Sequence, residues 1–239
     1  MQLFIHSEFS ASDQSIVMGF DESKHMIKVL RYKVGDKVSV TNTKGLIAKG
    51  TIVRANPKAC VVQIDSSEKL TPPKYSIHIA IAPTKQMERL EWFVEKSTEL
   101  GATRITPIIC DHSERQKVRI DRLEKRRDSA LKQSLNAYNV QIDPICSFES
   151  FVNKQHLDAD LYLAHCLTTR NKNLIQAKSL SNNSIILIGP EGGFSNKEIA
   201  IAEENGYQSI SLGNRRLRTE TAGITAVQYL IIRQLLNEL

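Results

Sequence analysis

The chain has 239 residues, 41% of them hydrophobic and 24% charged, which suits one large soluble domain or two small ones. Its net charge of +6 points to a polyanionic partner, and its four widely spaced cysteines form no CxxC pair. This excludes the usual signatures of a zinc site, a redox dithiol or a disulfide framework, and implies a reducing cytoplasm and no bound metal. The stretch MQLFIHSEFSASDQ lacks the basic start and apolar core of a signal peptide. No apolar run approaches the roughly 20 residues that span a bilayer, so no membrane partner is expected.

From Lys37 to Asp65 the pattern is short and β-rich. Val38–Val40, Leu46–Ala48, Thr51–Val53 and Cys60–Ile64 are separated by turn residues, which predicts a small barrel or sandwich. Before them, Ser23–Leu30 reads as a short helix with His25, Met26, Val29 and Leu30 on one face. Arg31 follows, either as an RNA contact or as a cap on the helix carbonyls. Residues 1–72 carry ten Lys and Arg against seven Asp and Glu, so the charge is spread over both halves. The polar stretch Ser66–Lys74, with Pro72-Pro73, is the best boundary, giving domains at 1–70 and 74–239.

The second half opens with an apolar strand, Ile77–Ala82. Thr84 is placed to cap a helix running to Leu100 and stopping at Gly101, followed by a strand at Ile105–Ile109. This β-α-β order predicts a parallel sheet. His78, inside the first strand, reads as a satisfied core histidine. The stretch His112–Gln133 reads as one long helix with eight Lys and Arg against four acids. That helix is either a solvated face or an RNA-facing strip, with Arg115 and Arg122 as phosphate contacts. Asp160–Cys166 is a third buried strand; His165 at its end reads as structural.

The chemistry concentrates in Ser184–Ala222. A buried strand at Ile185–Ile188 stops at Gly189-Pro190-Glu191-Gly192-Gly193, and Ser195 with Glu198 forms a capping box for a helix ending near Gly206. A second strand, Ser209–Leu212, runs into Gly213-Asn214 and the basic tract Arg215–Arg218. Two glycine loops at strand ends are where an open α/β sheet binds its ligand. Neither G-x-x-x-x-G-K-[ST] nor G-x-G-x-x-G occurs, so the usual cradles for ATP and dinucleotides are absent. The last helix, Thr221–Glu238, carries apolar residues too widely for one packed face.

The strings LIGPEGGFSNKEI and LGNRRLRTETA resemble the two C-terminal motifs of SPOUT methyltransferases. More narrowly they are similar to those of the 16S ribosomal RNA uridine-N3 methyltransferase family, and HMIKVLRYKVGDKV resembles the signature of that family's PUA-like N-terminal domain. Ser113-Glu114-Arg115 and Ala130–Ser134 match further family strings, although Leu135-Asn136-Ala137 stands where an arginine is usual. The resemblance implies an α/β fold with a trefoil-knotted parallel-sheet domain, a small PUA-like β-barrel, S-adenosylmethionine in the knot, and a homodimer formed through the C-terminal helix. It implies that the cofactor is held mainly by backbone groups of Leu163, Ile188, Gly189, Gly193, Leu212, Gly213 and Leu217, with Asp160–Cys166 as the first of three knot loops, lining the adenosyl pocket. The implied partner is 16S rRNA or the small ribosomal subunit.

Methylation at uridine N3 requires removal of the N3 proton and stabilisation of the ring anion. Arg218 is the residue expected to stabilise that charge, with Glu191 and Glu220 as proton acceptors. The alternative roles are a turn-stabilising carboxylate for Glu191 and a first-turn acid favouring the helix dipole for Glu220. Two other functions remain open at this point: ribose 2′-O-methylation on the same fold, and non-catalytic RNA binding.

Overall fold

The computed structural model describes residues 2–156, 158–166, 172–177 and 181–237. They form two compact units, Met1–Pro72 with Asp128–Asn139, and Pro73–Arg127 with Val140–Leu239.

In the first unit, β1 (Leu3–Ile5), β2 (Ser15–Val17), β3 (Lys37–Thr41), β4 (Leu46–Arg54) and β5 (Val61–Lys69) form a five-stranded sheet in the order β1-β3-β4-β5-β2. Phe4, Met18, Met26, Val40, Ile52 and Val62 are buried in its single core. The strands expected at Leu46–Ala48 and Thr51–Val53 are one strand, β4, with an irregularity at Lys49/Gly50. Gly50 allows it: a Cβ there would stand 2.6 Å from the Gln63 carbonyl oxygen. The polar stretch expected to be linker from Ser66 is strand as far as Lys69, because Ser66–Lys69 pair with Lys49–Leu46 of β4.

The expected helix at Ser23–Leu30 is α1 (Phe20–Lys24) running into a wider π-type turn at His25–Val29. The Leu30 N–H donates to the His25 carbonyl, five residues back, at 3.0 Å. That winding rotates Val29 out to solvent (64% exposed) while Met26 stays in the core. Arg31 ends the turn at φ 60°. Within the same unit Lys132 pairs with Glu22 at 2.8 Å, and the Tyr138 hydroxyl donates to the Leu70 carbonyl at 2.6 Å.

The second unit is built on an eight-stranded sheet whose pairings are all parallel. In chain order the elements are β6 (Ser76–Ile81), α2 (Met87–Leu100), β7 (Arg104–Ile109), α3 (Ile120–Gln133, whose residues from Asp128 on belong to the first unit), β8 (Gln141–Ile142), β9 (Cys146–Ser147) and α4 (Phe148–Val152). Then come β10 (Asp160–Ala164), β11 (Lys172–Asn173), β12 (Asn183–Ile188), α5 (Asn196–Glu204), β13 (Gln208–Ser211) and α6 (Thr219–Asn237). The strand order is β11-β13-β10-β12-β6-β7-β8, with β9 also paired to β7. Strands buried on both faces read as continuous apolar runs, and Ile77, Ile79, Ile81, Ile186 and Leu187 have almost no exposed surface. The helix α6 packs on α2, β6 and β12, and Gly223 brings it against the Phe93 ring.

Two helix expectations need correction. Thr84 does not cap α2; its hydroxyl donates to the Gln86 carbonyl at 2.7 Å, and the helix begins at Met87. The stretch 112–119 is not helical, and only Ile120–Gln133 forms α3. Leu123, Ala130 and Leu131 give α3 a buried stripe, whereas His112–Arg119 supplies one apolar residue, Val118, and no such stripe. Those residues instead bond to neighbouring loops. The end of α6 expected at Glu238 lies outside the described residues.

Candidate active site

The strands β12, β13 and β10 end on one edge of the sheet, and the loops after β12 and β13, with His165 and Cys166 after β10, line a cavity of about 640 Å³. The first loop, Gly189–Gly193, is fixed by the N-terminus of α5. The Ser195 hydroxyl accepts the Glu198 N–H, and Glu198 Oε2 accepts the Ser195 N–H at 2.8 Å, closing the capping box. Glu198 Oε1 also accepts the Asp111 N–H at 3.0 Å, and the Ser195 hydroxyl donates to Asp111 at 2.6 Å. His112 Nδ1 donates to the Gly193 carbonyl at 3.0 Å. The segment after β7 is thereby tied to the glycine turn, and a Cβ at Gly192 would stand 2.9 Å from His112 Cβ.

The second loop joins the first through two hydrogen bonds. Arg216 Nη2 donates to the Glu191 carbonyl at 3.2 Å, and the Thr219 hydroxyl donates to that of Gly189 at 3.1 Å. Gly193 and Gly213 sit at φ 76° and 127°, where an L side chain is strained. Glycine there leaves backbone groups open to the cavity, as a small-molecule site with few polar anchors needs.

Six of the seven expected cofactor residues line this cavity: Ile188, Gly189, Gly193, Leu212, Gly213 and Leu217. Leu163 does not. It pairs in register with Leu187, faces the core with it, and is fully buried; Ala164, His165 and Cys166 line the cavity instead. The His165 ring donates from Nε2 to Ser209, which itself donates to Glu203 at 2.6 Å. Burial lowers the His165 pKa, so the ring is neutral and held in place.

Of the expected catalytic residues, Arg218 and Glu191 line the cavity and Glu220 does not. Arg218 is exposed, and its guanidinium makes no hydrogen bond or ion pair among the described residues. Glu191 Oε1 accepts the Lys85 N–H at 3.1 Å, joining the glycine turn to the loop after β6. Glu220 is 5% exposed in the first turn of α6, with Oε1 3.8 Å from Arg89 Nε. An Arg218–Glu220 pair is therefore not formed.

The arginines expected to meet RNA differ in how free they are. Arg31 is exposed. Arg115 donates to the Thr84 and Lys85 carbonyls at 2.7–3.2 Å, clamping the loop after β6. Arg122 Nε lies 2.6 Å from Glu91 Oε1. Sequence reading missed the Arg115 clamp because its partners are 30 residues away and are backbone atoms. It also missed Arg89, which looks like any exposed helix arginine until Glu220 is seen beside it. Among the described residues no cluster of His, Cys, Asp and Glu could hold a metal ion, and no helix is long and apolar enough to cross a membrane.

Comparison with known proteins fits this geometry. Residues 71–231 match the RNA methyltransferase domain family, and residues 19–65 match the RNA methyltransferase PUA domain. The chain belongs to the RNA methyltransferase family. Among its relatives, Ribosomal RNA small subunit methyltransferase E of Rickettsia conorii is 33% identical, covering 95% of this chain and 93% of its own. The protein of the same name from Bacillus subtilis is 28% identical over 87% and 86%. A solved structure from Porphyromonas gingivalis superposes with a TM-score of 0.90 at 34% identity, covering 99% of this chain and all of its own. A methyltransferase structure from Legionella pneumophila, in complex with the bound cofactor SAM, has a TM-score of 0.86 at 27% identity over 95% and 96%. The fold class is thus the one expected of the family: a parallel α/β domain of SPOUT type with a small N-terminal PUA-like domain.

Proposed function

We propose that the chain methylates N3 of a uridine in 16S rRNA of the small ribosomal subunit, with S-adenosylmethionine held between the two glycine loops. The observation that carries the reading is Arg218, a guanidinium without a partner among the described residues, at a cavity lined by glycine backbone and the apolar Ile188, Leu212 and Leu217. Two further points support it: the names of the relatives above, and a cavity of about 640 Å³, sized for a nucleoside joined to an amino acid.

S-adenosylmethionine, when bound, supplies a methyl group on a sulfonium. The protein's share is positioning and charge. The glycine loops, locked by the Ser195–Glu198–Asp111 network and the Thr219–Gly189 bond, fix where the donor sits. Arg218 stabilises the ring anion as the N3 proton departs, an effect worth most where water is excluded. Glu191 uses Oε1 to hold the Lys85 N–H and keeps Oε2 to take that proton. Arg115 keeps the loop after β6 in place, and Glu220 is a positioning residue at the start of α6.

The same reading gives the N-terminal unit, with its exposed Arg31, a share of the RNA affinity. It places the protein in the cytoplasm with its substrate. It gives α6 a dimer contact, since Leu235 and Leu236 are 58% and 59% exposed. The knotted path implied by the family draws support from strand order: β13 lies beyond β10, and α6 then returns to β6 and β12. The test is incubation of small subunits lacking the modification with tritium-labelled cofactor. Label enters the RNA with the wild-type chain and not with Gly213→Val. A folded wild-type chain that transfers no label to RNA would leave only the non-catalytic function.

A further inference from the structure

A second cavity, of about 660 Å³, lies in the same unit at the opposite end of the strands. Its polar floor is built from the first residues of the sheet, including His78, Arg104 and Thr106. Its wall is apolar, formed by Ile145, Cys146, Phe151 and Ile185. The glycine loops contribute nothing to it, and the chemistry proposed above does not use it.

Hydrogen bonds fix what this floor presents. The Thr106 hydroxyl donates its one proton to Asp143, so towards His78 it can only accept. His78 Nε2, 2.7 Å away, is therefore the protonated nitrogen. Burial, with Arg104 nearby, pulls the His78 pKa down to about 3, so the ring is neutral and Nδ1 is a bare acceptor. Nδ1 has no hydrogen-bond partner among the described residues. Arg104 grips Asp143 through Nε and Nη2 at 2.7 and 3.0 Å, leaving Nη1 without a partner among those residues. Lys154 adds an exposed ammonium at the rim.

An acceptor beside an apolar wall, flanked by the Lys154 ammonium and by Arg104, whose charge Asp143 on the same floor offsets while Nη1 stays available, selects a ligand. A metal or organic cation would find both Asp143 oxygens already taken by Arg104, Thr106 and Gln141, with Lys154 at the rim. An aromatic acid would satisfy the cations and leave Nδ1 desolvated without a donor. A base with a ring or amino N–H, carrying a phosphate, satisfies all three groups while its flat face covers the wall. We propose that this cavity is a second site, for a nucleoside monophosphate, either free or as an unpaired nucleotide of an RNA strand. The proposal stands apart from the methyl-transfer reading, because cofactor binding at the glycine loops can hold or fail independently.

The experiment is an NMR titration of the isotopically labelled full chain with uridine and adenosine 5′-monophosphates, the nucleosides uridine and adenosine, and a short single-stranded RNA. Shifts are expected at His78, Arg104, Cys146, Phe151 and Lys154, and they should persist when S-adenosylmethionine is present. Lys154→Glu, which changes an exposed side chain, should weaken the monophosphates by about fivefold and leave the nucleosides unchanged. His78→Phe, which keeps a ring and removes the acceptor, should weaken both. Shifts with monophosphates identify a free nucleotide as sufficient, and shifts with RNA alone identify a strand as the source. No shift at these residues with any probe at millimolar concentration overturns the proposal. So does binding that Lys154→Glu leaves unaltered.

Discussion

Replacing Arg218 by alanine removes a guanidinium that holds nothing else in place among the described residues. The fold should therefore survive, with a melting temperature close to wild type. The loss should fall on the chemical step. A unit charge about 4 Å from the developing anion is worth about 4 kcal/mol at an effective dielectric near 20. Loss of one charge-stabilising donor commonly costs about 2.7 kcal/mol or more. At about 1.36 kcal/mol per decade, these figures bracket a fall of about 100- to 1,000-fold in single-turnover rate. Cofactor affinity should change little, because the cavity is lined chiefly by glycine backbone and apolar residues. Arg218→Lys should recover part of the rate, since a point charge lacks the planar fork. Glu220→Ala acts elsewhere, on the contact with Arg89, so its effect and that of Arg218→Ala should add in the double variant. Single-turnover methylation with calorimetry of cofactor binding reads all of this. A near wild-type rate in folded Arg218→Ala would refute the reasoning, and so would a loss explained wholly by weaker cofactor binding.

Glu191→Gln keeps an acceptor for the Lys85 N–H but cannot take a proton, so turnover should fall by at least about tenfold with the fold unchanged. Retained turnover in Glu191→Gln, with loss in Glu191→Ala, would reduce Glu191 to a loop clamp. Arg122→Ala leaves Glu91, 6% exposed, with Arg126 alone; stability should drop by about 1 kcal/mol in denaturant titration, and an unchanged midpoint would remove the pair from the account. Because the folded His78 pKa is depressed to about 3, the unfolded chain binds the extra proton between about pH 6.5 and 3. The stability tied to a neutral His78 is thus present above about pH 6.5 and lost as pH falls, by at most about 1.4 kcal/mol per unit. Urea midpoints at pH 7 and 5.5 should show this slope flattened in His78→Phe; equal slopes would contradict it. Leu235→Glu with Leu236→Glu should convert a wild-type dimer to monomer in light scattering, whereas a monomeric wild type at micromolar concentration would end the dimer proposal.

What the sequence showed and what it hid divide along the range of the interactions. The capping box Ser195–Glu198, the left-handed stop at Gly101 and the apolar run Ile185–Ile188 are set by neighbours within a few residues, and each is where local pattern placed it. The convergence of the two glycine loops follows from two parallel strands ending alike, so most of the cavity lining was legible. Leu163 and its partner Leu187 stand one row short of the cavity, which the next pair, Ala164 and Ile188, reaches; only the paired register shows which row of the two strands meets it. Glu220 has a first-turn acid's place, and nothing local shows that Arg89 faces it. Charge alone makes 112–119 look like more of α3, whereas Arg115 and His112 are committed to carbonyls of distant loops.

The central claim is that this chain places a methyl group on a uridine base, and the most direct measurement is the identity of the product. Small subunits lacking the modification are incubated with the wild-type chain and S-adenosylmethionine, and their RNA is digested completely to nucleosides for mass spectrometry. The account predicts one methyl group on the uracil ring at N3, with the ribose unmodified, and its near absence with Arg218→Ala. A methyl group on a ribose 2′-hydroxyl, or on a base other than uracil, would contradict it.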